Sequence, residues 1–85
     1  MGIDEKDGAR TFTRRIAPII KGLMREHGVT QTRLAAILDR SQAYVSERAS
    51  GKEAWNTDEL EVLARQFGLS NGFELLRVVD HRLNV

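Results

Sequence analysis

The chain has 85 residues, no cysteine, one proline and a formal net charge of +1. That length suffices for one small core and is short for an enzyme that encloses a substrate, and with no thiolate and only two isolated histidines neither a metal nor another cofactor is expected. No apolar run approaches the roughly 18 residues of a membrane span, and Met1 to Arg15 lacks the apolar centre of a signal peptide, so no membrane partner and a cytoplasmic location are expected.

Charge is unevenly distributed. Residues 1–28 hold six basic and four acidic side chains, residues 29–55 four and three, and residues 56–85 three and five, giving +2, +1 and −2. The first two thirds face an anion better, although a mixed-charge solvated surface accounts for the composition equally well.

The opening MGIDEKDGAR is polar, contains two glycines and shows no period, so residues 1–12 are expected to form a mobile arm before a domain over residues 13–85. Ile16, Ile19, Ile20, Leu23 and Met24 then make a helical stripe that stops at Gly28, which suits the left-handed position after a helix. Pro18 belongs in a first turn and breaks a hydrogen bond deeper in. The regular part is therefore expected to begin near Ala17, with Thr11 to Ile16 either a preceding turn or a kinked extension. Gly22 costs this helix about 1 kcal/mol relative to alanine, so packing must hold it.

Thr30 is placed to cap a second helix beginning at about Gln31, its hydroxyl turned toward the N–H groups near Arg33, with Val29 and Leu34 at the staple positions. Apolar residues at Leu34, Ala35, Ile37 and Leu38 stop at Asp39-Arg40, and Ser41 offers a cap for a third helix over Gln42 to Ala49. Roughly three residues remain for the turn, and the small Ala35 lets the two helices approach. Val45 and Ala49 form an inward edge. Opposite them lie Gln42, Ala43, Ser46 and Glu47, able to donate to and accept from base edges in a DNA major groove. Gln42 has the reach for a bidentate pair with adenine, Ala43 for a thymine methyl and Tyr44 for a phosphate. The alternative for Gln42 and Ser46 is an ordinary solvated helix face.

This stretch resembles the helix-turn-helix of the lambda-repressor and Cro-like family, and the resemblance extends from about Ile16 to Leu76. Gly28-Val29-Thr30-Gln31 matches the family's gly-hydrophobic-thr-gln before its second helix, and Gly51-Lys52 its gly-lys after the third. The resemblance implies an all-α, compact five-helix DNA-binding domain whose second and third helices form the helix-turn-helix. By it Gln31 and Lys52 hold phosphates, Gln42, Ala43, Ser46 and Glu47 face bases, and Arg10, Arg14 and Arg15 become candidate arm contacts opposed by Asp4, Glu5 and Asp7. Three positions depart from the family. Asp39 stands where glycine is usual. Arg48 replaces an apolar residue, so its stem covers the core while its guanidinium reaches a phosphate or an acidic neighbour. Glu47 repels phosphates yet can accept from cytosine N4.

Beyond the loop Gly51 to Trp55, Asn56 and Glu59 have capping-box spacing and Trp55 and Leu60 staple spacing. The fourth helix runs to Phe67 with Leu60, Leu63, Ala64 and Phe67 inward, and Gly68 ends it. Trp55 reads as a core anchor, with a loop contact as the alternative. Asp58 and Glu59 complement the helix dipole, as do His27 and His81 near helix ends, so the Asp58, Glu59, Glu61 cluster needs no chemistry. Ser70 is the expected cap of a fifth helix, in which Phe73, Leu76 and Val79 cover the core and Leu75, Val78 and Leu83 remain as dimer candidates.

The expected function is sequence-specific double-stranded DNA binding by a transcriptional regulator, of phage or bacterial repressor type, acting as a homodimer on a two-fold-symmetric operator. An antitoxin-like module whose last helix captures another protein is the alternative. No nucleophile and base, carboxylate pair or glycine-rich phosphate loop occurs at a useful spacing, so an enzyme is not expected.

Overall fold

The computed structural model describes the backbone of residues 5–85 and the side chains of residues 10–85. Five helices follow in the order α1 (Glu5–Glu26), α2 (Gln31–Leu38), α3 (Gln42–Ala49), α4 (Thr57–Gln66) and α5 (Gly72–Leu83), with no strand among the described residues. The all-α, five-helix expectation holds.

Short-range chemistry sets most helix ends. Thr30 Oγ1 accepts from the Arg33 N–H at 3.1 Å, Ser41 Oγ from that of Tyr44 at 3.0 Å, and Asn56 Oδ1 from that of Glu59 at 2.7 Å. Each bond satisfies an amide that the first helical turn leaves without a carbonyl. At the other ends, Gly28 and Gly68 take φ of +67° and +76°, which lets the Val29 N–H reach the Met24 carbonyl at 2.8 Å and the Leu69 N–H that of Ala64 at 2.9 Å.

Ile20, Leu34, Val45, Leu63, Leu75 and Val79 are the largest fully buried side chains, and every helix supplies at least one. No helix can be withdrawn without opening the centre. Trp55 and Leu60 also belong to the core, so the anchor reading of Trp55 is the observed one.

Helix α1 departs from expectation. It is helical from Glu5 and passes through Pro18, rather than starting near Ala17. Of the arm expected over residues 1–12, residues 5–12 are therefore helical, and Met1 to Asp4 lie outside the described residues. Pro18 is exposed, and a proline inside a helix costs about 3 kcal/mol through the lost hydrogen bond and the clash of its ring with the preceding turn. Against that, Ile16 and Ala17 are buried on the proline's N-terminal side, and the Arg10 guanidinium donates to the Lys52 carbonyl at 2.7 Å. These contacts require the helix to continue upstream of the proline.

Helix α5 also differs. Its cap is Asn71, which accepts from the Glu74 N–H at 3.0 Å, while the Ser70 N–H donates to Glu74 Oε2 at 2.7 Å and holds that carboxyl below its ordinary pKa. Glu61 Oε1 of α4 takes the Gly72 N–H at 2.7 Å, satisfying another amide at the helix start. At about 3.6 residues per turn, Leu75, Leu76, Val79 and Leu83 share one arc and Phe73 lies off it. Leu75 is accordingly 0% exposed and Phe73 77%. The expected dimer set is thus corrected: Leu75 is core, and Val78 and Leu83 are half-buried against it.

Near the last turns of α1 and α5, Arg82 grips both carboxylate oxygens of Glu26, with Nη2 to Oε1 at 2.9 Å. The guanidinium hydrogen bonds lower the Glu26 pKa and, reciprocally, raise that of Arg82.

Two outcomes check this packing. Leu75→Ala should lose about 2–5 kcal/mol in urea unfolding, whereas Phe73→Ala should change stability by under about 0.5 kcal/mol. Equal losses would return Phe73 to the inward face. Because the folded Glu26 pKa is depressed, its contribution is present above the unfolded carboxylate pKa of about 4.3 and disappears as pH falls through the folded value. Glu26→Gln should therefore melt below the parent near neutral pH, with the gap closing in acid, and a gap independent of pH would remove the ion pair as its cause.

Candidate nucleic-acid interface

The turn between α2 and α3 consists of Asp39, Arg40 and Ser41. Asp39 occupies the left-handed region at φ +54°, ψ +49°, as a glycine would. The Arg40 N–H then bonds the Ala35 carbonyl at 2.9 Å, closing the end of α2. That conformation costs a non-glycine residue about 1–2 kcal/mol. In exchange the chain reverses within three residues, and Ser41 caps α3 at once.

Across α3 the division between inside and outside is clean. Val45 and Ala49 are 0% and 2% exposed, while Gln42, Ala43 and Ser46 are exposed in its first two turns. None of the three has a side-chain hydrogen bond among the described residues. Glu47 is half-buried, and its Oε2 lies 3.8 Å from Lys52 Nζ in an exposed ion pair. Gln31, at the start of α2, is also half-buried.

Tyr44 does something the sequence did not suggest. Its hydroxyl donates to Glu59 Oε2 at 2.5 Å, so that proton points at α4 instead of outward as a phosphate donor. Glu59 is 5% exposed, and its Oε1 accepts from the Asn56 N–H at 2.9 Å to complete the capping box. One carboxylate therefore fixes the start of α4 and the first turn of α3. The hydrogen bond to Glu59 raises the Tyr44 pKa above its ordinary value, with desolvation acting in the same direction.

The cations expected to meet phosphate are placed differently from one another. The Arg48 guanidinium lies over the Tyr44 ring with Cζ 3.4 Å from its centroid, and Nη1 donates to the Tyr44 carbonyl at 3.2 Å. Arg40, not singled out from the sequence, holds its Cζ 4.9 Å from the same centroid. Lys52 is exposed, and its carbonyl is the acceptor for Arg10. Arg10 thus braces α1 against the loop after α3. Arg14 and Arg15 lie on α1 with Arg15 at a small cleft against α5, beside Phe12 and Leu83. Four-residue spacing on α3 was the available signal for the contact of Arg48 with the Tyr44 ring, and Arg40, in the turn, carried none. The Glu59 and Arg10 bonds join distant parts of the chain and left no local trace.

Gly51 ends this region at φ +85°, and a Cβ there would come within 3.2 Å of the Ala17 Cβ. The loop that presents Lys52 consequently rests on α1. Elsewhere, a groove of about 320 Å³ runs between α4 and α5, lined by Thr57, Asp58, Leu60, Glu61, Phe73 and Leu76.

Comparison of the chain with protein-family models, with curated proteins and with solved structures gives no match. No helix among the described residues is long and apolar enough to cross a membrane, and no cluster among them has the donors of a metal site.

Tyr44 is the only tyrosine, so phenolate absorbance reports on it alone. Glu59→Gln should bring its ionisation down toward pH ~10, and Glu59→Ala should also lose about 1–3 kcal/mol of stability through the cap and the stranded hydroxyl. An unchanged titration in both variants would show that the Tyr44–Glu59 bond is absent in solution.

Proposed function

We propose that this protein binds double-stranded DNA in a sequence-specific manner as a transcriptional regulator, with α2 and α3 as a helix-turn-helix and α3 lying in the major groove. The observation that carries this reading is the free outer face of α3: Gln42, Ala43 and Ser46 are exposed and uncommitted at the N-terminal end of a helix anchored from behind. An amide, a methyl and a hydroxyl there match adenine, a thymine methyl and either partner respectively. The resemblance of the stretch to lambda-repressor and Cro-like proteins supports the same assignment, as does the positive charge of residues 1–55.

Glu47 belongs to this face as a selectivity element, since its exposed pairing with Lys52 is weak and leaves both side chains able to turn to DNA. Gln31 and Lys52 are assigned to phosphates. Selection of bound genomic fragments would give the site, and titration against that site and random duplex tests the reading directly. Gln42→Ala should weaken specific binding by about 1–3 kcal/mol with little change on random duplex. Equal losses would make Gln42 a positioning contact, and an absence of duplex binding at low salt by the parent would overturn the function.

Repression from a two-fold-symmetric operator, with half-sites about 34 Å apart, requires a homodimer at least on DNA. The correction on α5 moves the surface for this dimer to Phe73 and Leu76 at the groove edge, because a phenyl ring 77% exposed is the largest apolar loss to water on that helix. Phe73→Glu should retain the parent's helical content, shift sedimentation toward monomer and weaken full-operator binding more than half-site binding. Unchanged full-operator affinity would assign this groove to a different protein, the antitoxin-like alternative.

A further inference from the structure

The pair of guanidinium groups over Tyr44 has no role in the core. Arg48 lies one helical turn after Tyr44 on α3 and Arg40 stands in the turn before α3, and their Cζ atoms come to 3.4 and 4.9 Å from the Tyr44 ring centroid. These distances keep the two like charges within roughly 8 Å of each other, close enough to repel. Neither forms an ion pair among the described residues. Glu59, hydrogen-bonded to Tyr44, spends one oxygen on the Tyr44 hydroxyl and the other on the Asn56 amide. Glu47, on the same helix, is paired with Lys52.

The arginine donors are correspondingly unspent. Arg40 makes no hydrogen bond among the described residues and is exposed, while Arg48 uses only Nη1, on the Tyr44 carbonyl, and its Nε lies buried without an oxygen partner. The ring orients two planar forks whose N–H groups suit a tetrahedral oxyanion. Tyr44 itself cannot swing away, because its hydroxyl is held by the buried Glu59.

We propose that Arg40 and Arg48, set over the Tyr44 ring, form one seat for a single phosphate of the DNA backbone. This rests on the DNA-binding reading and assigns Tyr44 as a platform, in place of a phosphate donor. It adds Arg40 to the contacts. A shared seat has a quantitative signature. Each phosphate neutralised contributes about 0.9 to the slope of log K against log salt, so one phosphate held by two arginines contributes about 0.9 in all.

The test uses the full chain in two arms. Inorganic phosphate is titrated while the arginine Nε–Hε signals are followed by NMR, and random duplex is titrated at several salt concentrations with the parent, Arg40→Gln, Arg48→Gln and the double variant. Phosphate should shift the Arg40 and Arg48 signals together, and Arg40→Gln should abolish the response of Arg48. On duplex, the double variant should lose about 0.9 of slope in total, no more than one seat supplies. A double loss near 1.8 would mean two separate contacts, and unchanged slopes in a parent that binds duplex would remove the arginines from the interface. Either overturns the seat and leaves the DNA reading standing. A parent that responds to phosphate at both arginines yet binds no duplex overturns the DNA reading instead. Should Arg48→Gln unfold, Arg40→Gln decides alone: it sits in an exposed turn, and an Arg48 signal still shifted by phosphate in that variant rejects the shared seat.

Discussion

The carboxylate of Glu59 is the point on which the arrangement of α3 depends. A buried charge is tolerated only when its oxygens are occupied, and here one takes the Asn56 amide and the other the Tyr44 hydroxyl. The first bond is local and belongs to α4. The second spans to α3 and turns a helix cap into an inter-helix tie. Because α3 has only eight residues, its own hydrogen bonds could not hold a direction, and its orientation comes from Val45 and Ala49 on one side and this tie on another.

What was legible in the sequence was what depends on neighbours a few residues away. Thr30, Ser41 and Asn56 announced their helices because a cap and its amide are three residues apart, and Gly28, Gly51 and Gly68 fell at positive φ. Asp39 stands where the family it resembles usually has glycine, and it keeps the left-handed conformation that glycine would take. The errors have a different physical origin. Helix α1 begins earlier than Pro18 suggests, because the proline's penalty is local whereas the burial of Ile16 and Ala17 that outweighs it involves other helices. On α5, six apolar residues fit more than one face, and the choice of Leu75 over Phe73 follows from what α4 and α1 present. Moving the cap by one residue, from Ser70 to Asn71, belongs to the same ambiguity.

Within the candidate interface the legible part was again the pattern of one helix. Gln42, Ala43 and Ser46 emerge exposed as expected, since Val45 and Ala49 define the inward edge. Their charged and aromatic neighbours were less readable. Tyr44, Arg10 and Glu47 each spend a polar group on a partner within the fold, and Arg40 acquires a position only because a tyrosine follows four residues later. The molecule so separates into an outer face of α3 with the uncharged Gln42, Ala43 and Ser46 beside Glu47, and a cationic flank next to it. The acidic last third is turned to its own capping, through Glu61 and Glu74 at the start of α5 and Glu59 at the start of α4.

The contact of Gly51 with Ala17 gives α3 the mechanics of a lever. Eight residues make a rod about 12 Å long, whose N-terminal end is tied through Tyr44 and whose C-terminal end leads directly into Gly51. A sideways shift of ~1 Å at the Gly51 end would pivot the rod by roughly 5° on that length. The aim of Gln42 and Ser46 is in this sense calibrated by two small positions, the side chain absent from Gly51 and the single methyl of Ala17. A larger residue at either position would act as a shim, re-pointing the outer face without touching any residue on it.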